Sequence, residues 1–171
     1  DIKMFRIFFF FFLIICPIKA IALIEVDITR GNLNPLPIAV SPLSIDEKSK
    51  ESFKKILNKE NIGLEISSVV EKNLKTSGLF NPLNKDAFLQ APDIANLKPR
   101  FEDWNLIKAQ ALITGKVNFD KDKLRVEFRL WDVLAGKEMM ALAFTTVPSN
   151  WRRVGHIITD KVYELSLIHI S

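Results

Sequence analysis

The sequence predicts an α/β fold, namely one domain with a mixed β-sheet flanked by helices and preceded by a signal peptide. Three observations lead to this prediction. A basic and then apolar N-terminal run ends in small residues, as export signals do. Strand-like and helix-like segments follow in the order β, α, β-meander, α, which is typical of a layered α/β domain. The 171 residues, 48% of them hydrophobic, are enough for one domain with its own core.

The N-terminal run has the pattern of a secretory signal. Two basic residues precede an apolar stretch over residues 7–15, and Ala20-Ile21-Ala22 follows. We therefore expect residues 1–22 to be a leader that is cleaved after Ala22, and we expect the mature chain in the periplasm. A spanning helix needs about 20 apolar residues, so this run is too short for one. An N-terminal membrane anchor is the alternative.

The first dozen residues after the expected cleavage site alternate between apolar and polar side chains. Ile24, Val26 and Ile28 would lie along one edge, and Gly31-Asn32 ends the pattern. Alternation with a period of two predicts an extended segment over residues 23–34. Such a segment can add to the sheet of a partner, fold back on its own domain, or be simply the first strand of that domain.

The domain itself is placed at residues 35–165, and its first half mixes strands with helices. Prolines bracket a short buried strand over 37–40, and the lysine-rich residues 45–61 predict a solvated helix. Apolar side chains at helical spacing predict a helix over 62–76 that Ser77-Gly78 ends. The next segments are a strand at 79–83, a loop with a helical turn at 84–99, and a short helix at 101–108.

The second half predicts an antiparallel meander and a closing helix. The three strands lie at 111–117, 124–132 and 138–147, with polar or glycine-containing turns between them. The last helix carries apolar side chains at steps of three and four, which predicts that it covers one face of the sheet. These side chains are Trp151, Val154, Ile158, Val162 and Leu165.

The sequence contains no motif that predicts catalysis or a bound cofactor. The only cysteine, Cys16, lies in the leader, and the two histidines, His156 and His169, do not have the spacing of metal ligands. Glycine-rich phosphate loops and serine-nucleophile elbows do not occur in the sequence. We therefore expect no enzyme activity, no catalytic residue, no metal, no cofactor and no small-molecule substrate.

Two further features concern charge. The formal net charge is +4, and part of it lies in the leader. The sequence lacks a stripe of basic residues interleaved with aromatic ones, so nucleic-acid binding is not predicted. His156 has Asp160 four residues further along the last helix, a spacing that predicts a His–Asp contact on the helix surface. The alternative is that His156 lies at a contact between domains.

Five blocks of sequence, taken in order, cover nearly all of residues 23–164. The blocks are DITRGN at 27–32 with PLPIAV at 35–40, SGLF at 77–80, PRFEDW at 99–104 with AQALITG at 109–115, FRLWD at 128–132, and NWRRVGHII at 150–158. Each block is weak by itself, but together they are specific, and they resemble the alphaproteobacterial TolB family.

This resemblance implies both a fold and a biological setting. The family has an N-terminal α/β domain, similar in topology to anticodon-binding domains, followed by a β-propeller that binds Pal. It belongs to the periplasmic Tol-Pal system, which supports envelope integrity and outer-membrane constriction during cell division. After Glu164 the sequence resembles no part of the family, so residues 166–171 are assigned to a non-family tail. No Pal contact is therefore assigned to this chain.

The resemblance also implies a docking segment. In the family, the mature N-terminal segment binds the C-terminal domain of TolA, and here that role falls on residues 23–34. These residues are Leu23, Ile24, Glu25, Val26, Asp27, Ile28, Thr29, Arg30, Gly31, Asn32, Leu33 and Asn34. We expect a monomer that acts as an adaptor. The alternative is a related α/β accessory domain of an outer-envelope assembly or secretion system, because such domains begin with a similar strand.

Overall fold

The computed structural model describes the backbone of residues 34–169 and the side chains of residues 34–166. The expected signal peptide, its cleavage site after Ala22, and residues 23–33 of the docking segment lie outside the described residues. Within the described range, two 3-10 turns lie at Lys85–Ala87 and Pro148–Asn150. The strands and α-helices are β1 (Leu36–Val40), β2 (Ser44–Ile45), α1 (Glu47–Leu57), α2 (Ile62–Thr76), β3 (Phe80–Pro82), α3 (Pro92–Leu97), α4 (Phe101–Leu106), β4 (Ala111–Asp120), β5 (Lys123–Asp132), β6 (Lys137–Thr146) and α5 (Trp151–His169).

The strands form one mixed sheet, which confirms the predicted fold class. Their order is β3-β1-β4-β5-β6, and the short β2 also pairs with β4. β1 runs parallel to β3 and β4, whereas β4, β5 and β6 form the predicted antiparallel meander. In the turn between β4 and β5, Lys121 and Asp122 have φ values of 47° and 59°. Positive φ at both positions gives a two-residue turn that matches the twist of the flanking strands.

Helices α2 and α5 cover one face of this sheet and form the main core. The apolar stripe of α5 is buried against the sheet as predicted, from Trp151 to Val162, and Phe128 of β5 is fully buried in the same cluster. The two helices approach closely at Gly155, where a Cβ atom would lie 2.7 Å from Cγ1 of Val69. A glycine is therefore needed where these helices cross.

The short helices α3 and α4 cover part of the opposite face with a smaller core. Trp104 of α4 is 1% exposed and clusters with Ala39, Leu112 and Val133. Its Nε1 donates a hydrogen bond to Oε1 of Gln90 at 2.8 Å, which satisfies the polar atom of a buried indole. The rest of this face, on β5 and β6, is left uncovered by α3 and α4.

Capping side chains set the ends of the first two helices. Asp46 caps α1 by accepting a hydrogen bond from the Ser49 amide at 2.8 Å. The Ser49 hydroxyl in turn accepts from the Phe119 amide at 2.9 Å, which ties the start of α1 to β4. Helix α2 ends at Thr76 with Ser77 as its C-cap, and Gly78 has a φ of 72°, as the sequence predicts for this cap.

The structure corrects several predictions of local structure. Residues 84–99 are not only a loop, because α3 begins at Pro92, a helix position where the missing amide has no cost. Strand β2 was not predicted, since two residues carry no periodic pattern. Helix α1 is less solvated than predicted, because Phe53 is fully buried. Helix α5 continues to His169, into residues that we assigned to the tail.

Candidate partner-docking site

An apolar groove lies beside the first residue that the structure describes, Asn34. Asn34, the last residue of the segment, lies on the wall of this groove, whose volume is about 390 Å³. The groove is lined mostly by apolar side chains that come from β1, β3, β4, β5 and β6, from the turns before β3 and β6, and from α5. They are Leu36, Ile38, Leu79, Phe80, Ala111, Leu130, Leu134, Met139, Val162 and Leu165, with Asn34, Gln110, Asp132 and Ser166 as the polar residues.

The rim of the groove exposes leucines that a closed core would bury. Leu36 is 36% exposed, Leu79 39% and Leu134 67%. The Leu36 amide donates to the Leu79 carbonyl at 2.9 Å, so the start of β1 and the turn before β3 are held side by side. Exposed apolar side chains gathered at one groove are typical of a surface that binds another polypeptide.

The lining of the groove is suited to binding an apolar segment and contains few groups that could act as an acid or a base. Asp132 is the carboxylate in its lining, and its Oδ1 accepts a hydrogen bond from the Ala135 amide at 2.8 Å. That bond is ordinary turn chemistry for an aspartate. Over residues 34–166, where side chains are described, no group of three or more His, Cys, Asp or Glu residues is arranged to hold a metal ion.

His156 lies elsewhere, on the outer surface between α2 and α5. Its Nδ1 is 2.9 Å from Nδ2 of Asn73, and since an amide nitrogen only donates, the imidazole accepts this bond. The same Nδ2 donates to the Thr159 hydroxyl at 3.3 Å, and the Tyr163 hydroxyl donates to the Asn73 carbonyl at 2.9 Å. These hydrogen bonds to Asn73 hold α5 against α2. The predicted pairing of His156 with Asp160 is wrong, because its hydrogen bond goes to Asn73, a residue of the same domain.

Three charged groups have shifted pKa values, and each shift has a structural cause. The backbone amide of Ser49 lowers the pKa of Asp46, which it caps. Burial lowers the pKa of Lys85, which forms an ion pair with Glu71 of α2. Burial alone would raise the pKa of Glu127, but hydrogen bonds and charges from Arg125 and Lys116 bring it below its usual value. Since none of these groups lines the groove, the shifts indicate structural roles.

Among the helices of residues 34–169, none is both long enough and apolar enough to span a membrane.

Comparison with known proteins shows to which family the chain belongs. Residues 24–139 match the model of the TolB amino-terminal domain. The chain belongs to the TolB family. Among curated proteins it is 82% identical, over 157 residues, to the Tol-Pal system protein TolB of Pelagibacter ubique (strain HTCC1062). That alignment covers 92% of this chain but 35% of the relative, so the chain spans about a third of the length of that TolB protein.

A solved structure of the TolB family shows the same fold. The crystal structure of TolB from Acinetobacter baumannii superposes with a TM-score of 0.59 at 21% sequence identity. The superposition covers 76% of this chain and 28% of the other. At this identity the likeness concerns the fold, and it agrees with the mixed sheet described above.

Of the predicted site residues, the structure therefore places Asn34 at the groove and His156 away from it. The groove itself was not predicted from the sequence. One signal could have indicated it: Leu134 is a large apolar residue directly before the Ala135-Gly136 turn, where polar residues are usual.

Proposed function

We propose that this chain is a periplasmic adaptor domain of the Tol-Pal system whose N-terminal segment docks on the C-terminal domain of TolA. The observation that carries the proposal is the family match. It begins at residue 24, so the alternating segment is part of what the family shares. The adaptor links inner-membrane TolA towards the outer membrane, in support of envelope integrity and constriction at division. It has no catalytic role.

The chemistry of the segment supports strand addition to TolA. Its apolar side chains, Ile24, Val26 and Ile28, alternate with polar ones. An extended peptide gains affinity from main-chain hydrogen bonds at a sheet edge, and specificity from the side chains that point to one face. Burying each isoleucine or valine is worth about 1.5–3 kcal/mol. The apolar edge should therefore supply most of the side-chain contribution to binding.

The binding test is calorimetric titration of the mature chain, residues 23–171, with the C-terminal domain of TolA. Deletion of residues 23–34 should abolish binding. Replacing Ile24, Val26 and Ile28 together by serine should weaken it by about a hundredfold or more. The matched control replaces Glu25, Asp27 and Thr29 by serine on the other edge of the same segment, where we expect less than about a fivefold change. Equal losses in the two triple variants would reject the strand geometry.

The rim of the groove beside Asn34 carries exposed leucines. We propose that the segment folds back there, because it enters at Asn34 and the exposed leucines of the rim match its apolar edge. A resting contact competes with the partner, so weakening it raises the apparent affinity for TolA. Leu134→Ser should therefore tighten TolA binding by a few-fold, whereas Leu97→Ser, at another exposed leucine, should not. Unchanged affinity in Leu134→Ser would remove the fold-back while leaving the TolA docking intact.

A further inference from the structure

The two edge strands of the sheet differ in how they are closed. β3 is three residues long and ends at Pro82, which has no amide to offer a new strand. β6 is ten residues long, and within the described part of the chain its backbone pairs with β5 alone. Residues 139–146 of β6 contain no charge, no proline and no glycine. Natural sheets usually protect an edge with such residues, so the outer edge of β6 is open to strand addition.

On the core side of β6, apolar side chains extend the main core to this open edge. Met140, Leu142 and Phe144 lie opposite buried residues of β5. Phe144 stacks on Phe128 with ring centroids 6.0 Å apart, and Leu142 remains 37% exposed. An apolar side chain on an added strand would cover Leu142 and complete this side.

On the other side of β6, two alanines leave a shallow groove next to charged residues. This groove has a volume of about 230 Å³, and its lining includes Ala141 and Ala143 of β6 beside Arg125, Glu127 and Arg129 of β5. Because a methyl group is short, the long side chains of β5 can reach across β6 to a strand beyond it.

The charges at this groove favour an acidic occupant. Nζ of Lys116 and Nε of Arg125 share Glu127 at 3.4 Å and 3.1 Å, and Nε of Arg129 lies 3.2 Å from Glu138. The cluster therefore holds three cations and two carboxylates. An added carboxylate would balance the remaining positive charge, whereas an added cation would meet repulsion.

We propose that the outer edge of β6 binds, by strand addition, an extended segment of a partner protein in which apolar residues alternate with Asp or Glu. Its apolar side chains cover Leu142 and Phe144, and its carboxylates reach Arg125 and Arg129 across the alanines. This surface is formed by residues of β5 and β6, none of which belongs to the docking segment at residues 23–34. The proposal therefore stands or falls independently of the docking on TolA.

The test uses the mature chain, residues 23–171, labelled with nitrogen-15. The probes are two acetylated and amidated octapeptides, one of alternating Val and Glu and the other of alternating Val and Lys. We expect the Val-Glu peptide to shift the amide signals of residues 139–146 and to slow their exchange with solvent. It should bind at least about tenfold more tightly than the Val-Lys peptide.

Two variants with matched controls locate the binding. Leu142→Lys puts a charge on the edge and should weaken binding of the Val-Glu peptide about tenfold or more. Leu64→Lys makes the same change at a leucine of α2 that is 40% exposed, and should have no effect. Arg125→Gln should weaken the Val-Glu peptide about threefold, whereas Lys55→Gln, which removes an equal charge from α1, should not.

Several results would overturn the proposal. They are a lack of response in the β6 amides, equal affinity for the two peptides, or full binding by Leu142→Lys. A concentration-dependent dimer that Leu142→Lys abolishes would assign the edge to a second copy of the chain instead. Tighter binding of a peptide that copies residues 23–33 would assign it to the chain's own segment.

Discussion

Helices α2 and α5 cover one face of the sheet with long apolar stripes, whereas α3 and α4, of six residues each, cover only part of the other. The first face buries large side chains completely, among them Phe128 and Ile158. The second buries one tryptophan and leaves Leu97 and Leu106 exposed at 83% and 74%. The difference indicates that the first face holds the fold together, while the surfaces proposed for partners lie at the margins of the sheet, namely the β6 edge and the groove beside Asn34.

The largest effect should come from removing a ring in the main core. Phe128→Ala should lower the free energy of unfolding by about 4 kcal/mol, because the lost burial adds to the cost of a cavity. Urea denaturation measures this directly. The neighbouring Leu142→Ala, at the exposed edge, should cost less than about 1 kcal/mol. Similar losses in the two variants would contradict the view that the main core ends at β6.

A smaller loss is expected where α2 and α5 cross. Gly155→Ala pushes a methyl group against Val69, and overpacking outweighs the gain in helix propensity, for a net loss of about 1–2 kcal/mol. The double variant Gly155→Ala with Val69→Ala tests the cause by thermal denaturation. It should be more stable than the sum of the two single variants implies. Simple additivity would show that the close approach is not the reason for the glycine.

On the second face, Trp104→Phe should cost about 1.5 kcal/mol, because the indole donor to Gln90 is lost along with some buried surface. The loss of stability should be confined to the second face. Amide exchange should speed up in α3 and α4 and remain unchanged in α2 and α5. Faster exchange throughout the domain would mean that the two faces unfold as one unit.

The smallest effect concerns the cap of α1. Asp46→Ala should cost about 1 kcal/mol at neutral pH. The pKa of Asp46 is lowered in the folded chain, so its contribution is present above the unfolded value of about 4 and disappears as pH falls through the folded value. The variant and the parent should therefore converge in stability towards low pH. If the free energies of unfolding of the variant and the parent still differ at low pH, the carboxylate charge is not what caps the helix.

The periodic elements were the predictable ones. The meander and the stripe of α5 were recognised because alternation and three-and-four spacing report directly which side of an element is buried. Helix α3 was missed because six residues between prolines show too few turns for a period to appear, and β2 because it is only two residues long. Phe53, Ile56 and Leu57 were the only large apolar residues of a segment predicted to be solvated, and only the fold shows that Phe53 is fully buried.

The surfaces were harder to predict than the elements. The docking segment was predicted from its alternation and from the resemblance to the TolB family. The groove beside Asn34 was not, because it is assembled from six elements that are distant in the sequence. The predicted partner of His156 was wrong for the same reason. Its actual partner, Asn73, lies on α2, whereas the predicted partner, Asp160, lies one turn away on α5. Local spacing cannot reveal contacts that the tertiary fold creates.

The most direct measurement of the central claim is amide hydrogen exchange over residues 23–34 of the mature chain, with and without the C-terminal domain of TolA. We predict weak protection in the free chain, lowered further by Leu134→Ser. When TolA is added, protection should be strong and should follow the alternating pattern of a paired edge strand. Strong protection that is the same with and without TolA would show that these residues are a permanent part of the domain, and would contradict the adaptor mechanism.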